Sequence, residues 1–245
     1  LLYVSALSLG MIFPTVALPA TISTINLSEA TELWTQRQNP TAQDQAIRRL
    51  EKACEQSKDN FDLNWAFARA LYWESTQASN RKRPEYAKRG WEYASRAIAI
   101  DPSRVEGHYW ASVNVGQWSE AVGIPSAIVM GLTDKFEIPA KAAYAIDPGY
   151  DGGGPARVLG RFYTTIPWPF RDLNKAELYL DEAIAAGQSS VINHYFRADV
   201  SRRLRQPEAA RNRLEAALRI APAEGDVPQN SQFRPKVQAL LKELK

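Results

Sequence analysis

The chain has 245 residues, of which 45% are hydrophobic and 23% charged, so it is long enough for one sizeable domain and too apolar to be disordered. Its 30 basic and 27 acidic residues leave a net charge of +3, too small an imbalance to indicate nucleic-acid binding. The single cysteine, Cys54, excludes an intrachain disulfide bond and is expected to be a small buried residue.

The start of the chain is typical of a targeting segment. Residues 1–28 carry no charge, and small residues follow a mostly apolar run. This pattern predicts a secretory signal whose basic start is missing, and therefore an exported, periplasmic or extracytoplasmic protein. A membrane anchor is the alternative, since about 20 apolar residues span a bilayer, although Pro14 and Pro19 disfavour it. We assign 1–24 to the signal peptide or anchor and 25–245 to one helical domain.

A stop signal recurs after three Ala-rich apolar runs. The three sequences are Ile100-Asp101-Pro102, Ile146-Asp147-Pro148 and Ile220-Ala221-Pro222. Helices that close with proline at a fixed offset are typical of stacked helical repeats. Pro148 and Pro222 are 74 residues apart, which is close to two periods of the tetratricopeptide (TPR) repeat, about 34 residues each.

Alignment on these prolines predicts an all-α, TPR-like α-solenoid of about five helix pairs with a C-terminal capping helix. The pairs are 27–60, 61–102, 103–148, 149–188 and 189–222, and the cap is 229–245. The second helix of each pair carries a triad of packing residues, expected where neighbouring helices touch. The triads are Ala46, Leu50 and Ala53; Gly90, Ala94 and Ala97; Phe136, Ala140 and Ala143; Ala176, Leu180 and Ala183; and Ala210, Leu214 and Ala217.

Two segments interrupt the repeat pattern. An apolar insertion, 118–131, lies between the two helices of the third pair, and we expect it to be buried against its own domain, a neighbouring subunit or a membrane. The sequence Asp151-Gly152-Gly153-Gly154-Pro155 is expected to form a permissive turn with Pro155 at the start of a helix. The alternative is an anion site at that helix N-terminus, supported by Arg157 and Arg161.

The TPR register places a set of aromatic and basic side chains on the concave face of the solenoid. The set is Trp65, Arg69, Tyr72, His108, Ser112, Arg157, Arg161, Tyr195, Asp199 and Arg202. Arginine forks bind carboxylates bidentately and aromatic walls exclude water, so this set predicts a ligand- or partner-binding face. The alternative is that these are solvated arginines and ordinary interhelix aromatics. No nucleophile, base and orienting group can be assembled, so we expect no enzyme activity, no metal and no cofactor.

Two stretches resemble a known family. They are Trp118-Ser119-Glu120-Ala121-x-Gly123 and the segment from Asp147 to Tyr163, which runs through the Gly-rich turn into Arg157-Val158-Leu159-Gly160-Arg161. Both resemble the TPR-containing T component associated with TRAP transporters (TatT family), a periplasmic helper in bacteria. The same pattern is similar, more weakly, to a eukaryotic TPR family described as regulators of microtubule dynamics.

The resemblance covers about 60–220 and implies an exported helical protein that forms a homo-oligomer and docks a periplasmic solute-binding protein or a small organic-acid or hydrophobic ligand. It supplies no catalytic residues. The second hypothesis is a general interaction scaffold, without a transport role, whose groove binds a partner's peptide or C-terminus.

Overall fold

The computed structural model describes residues 25–187, 190–221 and 227–244, and within them the protein consists of twelve α-helices and the loops between them. The helices are α1 (Leu27–Thr35), α2 (Pro40–Gln56), α3 (Phe61–Gln77), α4 (Arg83–Ile100), α5 (Val105–Val122), α6 (Ile124–Val129), α7 (Leu132–Ile146), α8 (Tyr150–Thr165), α9 (Leu173–Ala186), α10 (Val191–Arg203), α11 (Pro207–Arg219) and α12 (Val227–Glu243). The predicted signal or anchor, 1–24, and Pro222 of the third stop lie outside the described residues. None of the described helices combines the length and apolarity needed to cross a bilayer.

The helices stack as the register predicts. The pairs are α1 with α2, α3 with α4, α5 with α7, α8 with α9, and α10 with α11, and each pair packs on the next. The all-α solenoid of five pairs with a C-terminal cap is therefore confirmed. Helix α6 is an addition inside the third pair, because it lies in the apolar insertion.

Local sequence explains where the helices begin and end. Asn26 and Asn60 accept hydrogen bonds from backbone N–H groups in the first turns of α1 and α3, which satisfies donors that have no partner inside the helix. Asp101 and Asp147 end α4 and α7 in an extended conformation, as expected for residues that precede proline. Two of the three predicted proline stops are thus confirmed.

The core forms where the packing triads of the second helices meet their neighbours. All fifteen triad residues are buried, and most have no exposed surface. The helices approach closely at Gly160, where an added Cβ would lie 2.5 Å from Cγ of Leu180. Only glycine fits at this crossing, because real Cβ atoms do not approach other heavy atoms so closely.

The Gly-rich sequence forms the permissive turn expected of it. Asp151, Gly152 and Gly153 have φ values of 51°, 61° and 78°, so three consecutive residues are left-handed before α8 continues through Pro155. At Gly153, an added Cβ would also lie 2.5 Å from the carbonyl oxygen of Ala183 on α9. Glycine is therefore required both for the backbone conformation and for the close approach of the two helices.

The apolar insertion is partly buried against its own domain, one of the three alternatives that the sequence left open. Helix α6 packs on α5 and α7, and Ala127 faces the core. The end of the insertion is not covered by the described residues: Ile128, Val129 and Met130 are 52%, 88% and 44% exposed.

Helix α12 caps the solenoid and also reaches across its concave side. It packs on α10 and α11, where Val237 is fully buried. The Nε2 of Gln232 lies 3.5 Å from Oγ1 of Thr76 at the end of α3, which is 156 residues away in the chain. The last helix therefore forms one wall of the groove.

Candidate binding pocket on the concave face

A cavity of about 280 Å³ opens on the concave side between α3, α5, α6, α7, α8, α10 and α12. Its lining is mostly apolar and aromatic. It includes Ile124 and Ile128 of α6, Phe136 of α7, Phe162 of α8, Tyr195 of α10 and Phe233 of α12. Repeat helices, the inserted helix and the cap converge on this volume, so it exists only in the complete fold.

Arg161 on α8 carries the principal charge in this pocket, and its hydrogen bonding is incomplete. Its Nη2 lies 3.7 Å from Oε1 of Glu120, and its Nη1 lies 3.4 Å from Oδ2 of Asp199. Both distances exceed the 2.7–2.9 Å, roughly, of a good charge-assisted bond. Its Nε is buried without a hydrogen-bond partner. The guanidinium carbon lies 5.0 Å from the ring centroid of Phe196, so this charge sits against an aromatic wall.

Lys236 on α12 brings a second cation to the same pocket. Its Nζ lies 4.3 Å from the ring centroid of Phe233. Burial lowers the pKa of the Lys236 ammonium; the field of Glu120 opposes that change and the field of Arg161 adds to it. Arg161, Lys236 and the core residue Arg157 are thus the three cations that line the pocket, and Glu120 is the one carboxylate among the described lining residues.

Asp199 belongs to a cluster behind the pocket wall. Its carboxylate accepts hydrogen bonds from Arg202 at 2.7 Å and from Arg203 at 3.0 Å. Burial favours the neutral acid, but the two arginines outweigh it, and the pKa of Asp199 is lowered. Because this charge is already shared by two closer partners, it compensates Arg161 only in part.

Arg157 lines the pocket, but its guanidinium is hydrogen-bonded to residues of the core. Its Nη2 donates to Oδ2 of Asp151 at 2.8 Å and to the hydroxyl of Tyr109 at 2.8 Å, while its Nη1 donates to Oδ1 of Asn193 at 3.0 Å. Burial opposes the charge, but Tyr109 and Asp151 raise the pKa of the guanidinium above its usual value. The carboxylate that Arg157 holds is thus the chain's own Asp151, so Arg157 is already paired within the fold.

The predicted concave-face set divides into two groups. Tyr72, Arg157, Arg161 and Tyr195 line the cavity, whereas Trp65, Arg69, His108, Ser112, Asp199 and Arg202 do not. In the second group, Trp65 donates to Asp62 at 3.1 Å and the fully buried Ser112 donates to its own helix at 2.8 Å. His108 lies 2.9 Å from the carbonyl oxygen of Pro102. The polar atoms of these three side chains therefore make contacts within the protein itself.

Sequence reasoning missed the contribution of α12 and the role of α6. Gln229, Phe233 and Lys236 line the pocket, and the amphipathic pattern of α12 gave no indication that its N-terminal half crosses the groove. The sequence did contain a signal for α6, because an apolar insertion between repeat helices is expected to bury its side chains against another surface. Among the described residues, no cluster of His, Cys, Asp and Glu side chains has the arrangement needed to hold a metal ion.

The stacked pairs and the groove place the protein in the class of TPR-like α-solenoids, and comparison with a solved structure agrees. A thermophilic TPR protein of Thermus thermophilus superposes with a TM-score of 0.65 at 16% identity, covering 88% of this chain and 99% of the other. The chain belongs to the family described as regulator of microtubule dynamics protein 1-3, whose sequence model matches residues 26–151. No curated protein shows significant sequence similarity to it.

Proposed function

We propose that the protein is a non-enzymatic interaction scaffold that holds an extended partner segment in the concave pocket, with its apolar side chains against α6 and α12 and its terminal carboxylate at Arg161 and Lys236. Concave faces of helical solenoids are general binding surfaces. The observation that carries the proposal is the incompletely paired guanidinium of Arg161 beside a second cation in an apolar pocket.

The charge balance explains why a carboxylate is the preferred guest. Arg161 and Lys236 face Glu120, and Asp199 is shared with Arg202 and Arg203. A cation that is partly removed from water gains most from a close anion, because the effective dielectric constant around it is low. A chain terminus supplies that anion, and the apolar lining receives the preceding side chains.

Peptides with free and amidated C-termini test this proposal. A ten-residue library displayed with free C-termini would supply a binding peptide, and calorimetry would compare its acid and amide forms. We expect amidation to weaken binding about tenfold, the worth of one charge-assisted hydrogen bond. The variant Arg161→Gln should lose most of this difference, because only Lys236 then remains to hold the terminal carboxylate. Arg96→Gln is the matched control, because this exposed arginine stacks on Tyr93 on the outer helix α4. Equal affinity of wild-type protein for acid and amide would refute the proposal.

A transport-associated role is the second candidate. A pocket of about 280 Å³ is close to the lower end of small-molecule sites, which begin at about 300 Å³, so a small organic acid or hydrophobic ligand also fits. The exported, periplasmic location rests on the sequence of residues 1–24. Pull-down with an extracytoplasmic solute-binding protein tests this role, and no association at micromolar concentration would remove it.

The family description supplies a third test. If the protein acts on microtubules, as that description implies, it should co-sediment with assembled microtubules, and the concave variant Arg161→Gln should reduce the bound fraction more than Arg96→Gln. Absence of co-sedimentation would leave the scaffold proposal intact with a different partner.

A further inference from the structure

Arg69 on α3 is a buried guanidinium held against two tryptophan rings. Its guanidinium carbon lies 4.7 Å from the ring centroid of Trp34 and 4.8 Å from that of Trp65. The residue is only 9% exposed. Cation–π contacts of this kind stabilise a desolvated guanidinium, but they leave its N–H donors without acceptors.

No described residue supplies those acceptors. The Nε of Arg69 is fully buried without a hydrogen-bond partner, and no ion pair joins this side chain to a carboxylate in the described part of the chain. Tyr150 and, more weakly, Asp151 favour the charged form of Arg69. The Tyr150 hydroxyl already accepts a hydrogen bond from Trp110, and the Asp151 carboxylate is bound by Arg157 and Tyr109. Arg37, which stacks on the same Trp34 ring at 4.1 Å, adds a repulsive charge.

Arg69 nevertheless remains a cation at neutral pH. Burial lowers its pKa to about 10, which still lies well above seven. A buried charge without a partner is costly, and proteins usually remove it or pair it. Retaining one on the concave helix of the second repeat is therefore explained best by a partner that arrives from outside.

The position of Arg69 connects it to the pocket. Tyr72, three residues further along α3, lines the cavity. Residues three apart on a helix are neighbours, with Cβ atoms about 5–6 Å apart. Arg69 does not line the cavity itself, but it lies about one helical turn from a residue that does, nearer the N-terminus of α3.

We propose that Arg69, with Trp34 and Trp65, forms a second carboxylate subsite, which takes an acidic side chain of the same partner segment whose terminal carboxylate lies at Arg161. This inference rests on the proposed function. The ligand class follows from the chemistry of the group: the guanidinium carbon lies over two indole rings, which offer no hydrogen-bond acceptor, and a planar carboxylate matches the N–H edge of a guanidinium bidentately. The partner segment is therefore an acidic peptide with a free C-terminus.

The test uses the ten-residue library with free C-termini, selected in parallel on the wild-type protein and on Arg69→Met. We expect the wild type to enrich Asp or Glu at one internal position and Arg69→Met to lose that enrichment while keeping the requirement for a free C-terminus. Replacing the enriched Glu by Gln in a wild-type binder should weaken its affinity about tenfold for the wild type and leave it unchanged for Arg69→Met. Arg69→Lys, which keeps the charge without the fork, should retain part of the preference.

The controls separate the possible outcomes. Arg96→Met removes a stacked arginine from the outer surface and should select the same peptides as the wild type. Circular dichroism establishes that each variant is folded, and Arg69→Lys carries the test if Arg69→Met is not. Enriched peptides with no acidic preference, or with the same preference on Arg69→Met, would overturn the subsite and leave the scaffold function standing. Enrichment of no peptide at all would overturn both.

Discussion

Replacing Asp151 by alanine tests whether the network around Arg157 stabilises the fold. The Asp151 carboxylate accepts hydrogen bonds from the hydroxyl of Tyr109 at 2.6 Å and from Nη2 of Arg157 at 2.8 Å. The Arg157 side chain is only 4% exposed, whereas that of Asp151 is 37% exposed. Asp151→Ala therefore removes the only carboxylate with which Arg157 forms an ion pair in the described chain and leaves a buried cation behind.

The magnitude follows from what remains around the cation. Breaking a buried ion pair by removing one partner costs about 3–5 kcal/mol. Here Asn193 and Tyr109 still accept hydrogen bonds from Arg157, and Asp151 is partly solvated. We therefore expect the free energy of unfolding to fall by about 2–3 kcal/mol, which is less than is usual for a fully buried ion pair. For a chain of this size that corresponds to a decrease of about 4–12 °C in Tm.

Thermal unfolding followed by circular dichroism measures this loss. Asp44→Ala is the matched control, because Asp44 pairs with Arg48 at 3.0 Å on the surface, and its removal should change stability by less than about 1 kcal/mol. The double variant Asp151→Ala/Arg157→Met should lose less than the sum of the two single variants, because the two side chains interact directly. A Tm for Asp151→Ala equal to that of Asp44→Ala would refute the reasoning.

Further predictions concern packing, reactivity and the inserted helix. Burial raises the pKa of the Cys54 thiol to about 12, so iodoacetamide at about pH 8 should label it only after unfolding, as mass spectrometry would detect. Gly160→Ala should destabilise the protein by about 1–3 kcal/mol, because the new methyl group meets Leu180, whereas Gly116→Ala, with an ordinary contact, should be neutral or stabilising. Ile128→Asp should leave Tm nearly unchanged but reduce peptide affinity, as calorimetry would show; a change in sedimentation coefficient would instead reveal a subunit interface at α6.

Much of the fold could be predicted from the sequence because its determinants are local. Asp101 and Asp147 are extended because proline follows each of them, and this holds wherever the chain goes next. The spacing of Ala176, Leu180 and Ala183 places them on one face of α9, so their burial follows from helical geometry alone. The candidate site was predicted less completely. The TPR register predicts which side chains lie on the concave face, but it does not predict which residues they contact.

The sequence by itself determined the helix pairs, the proline stops after α4 and α7, and the permissive turn at the start of α8, since each depends on residues a few positions apart. Only the tertiary structure decided that Arg157 belongs to the core, that Arg161 and Arg69 have no closely hydrogen-bonded carboxylate among the described residues, and that α12 brings Lys236 to the pocket. The physical reason is separation along the chain. Asp151 meets Tyr109 across 42 residues, and Gln232 meets Thr76 across 156. Contacts at such distances depend on how every intervening repeat stacks, and no local pattern encodes them.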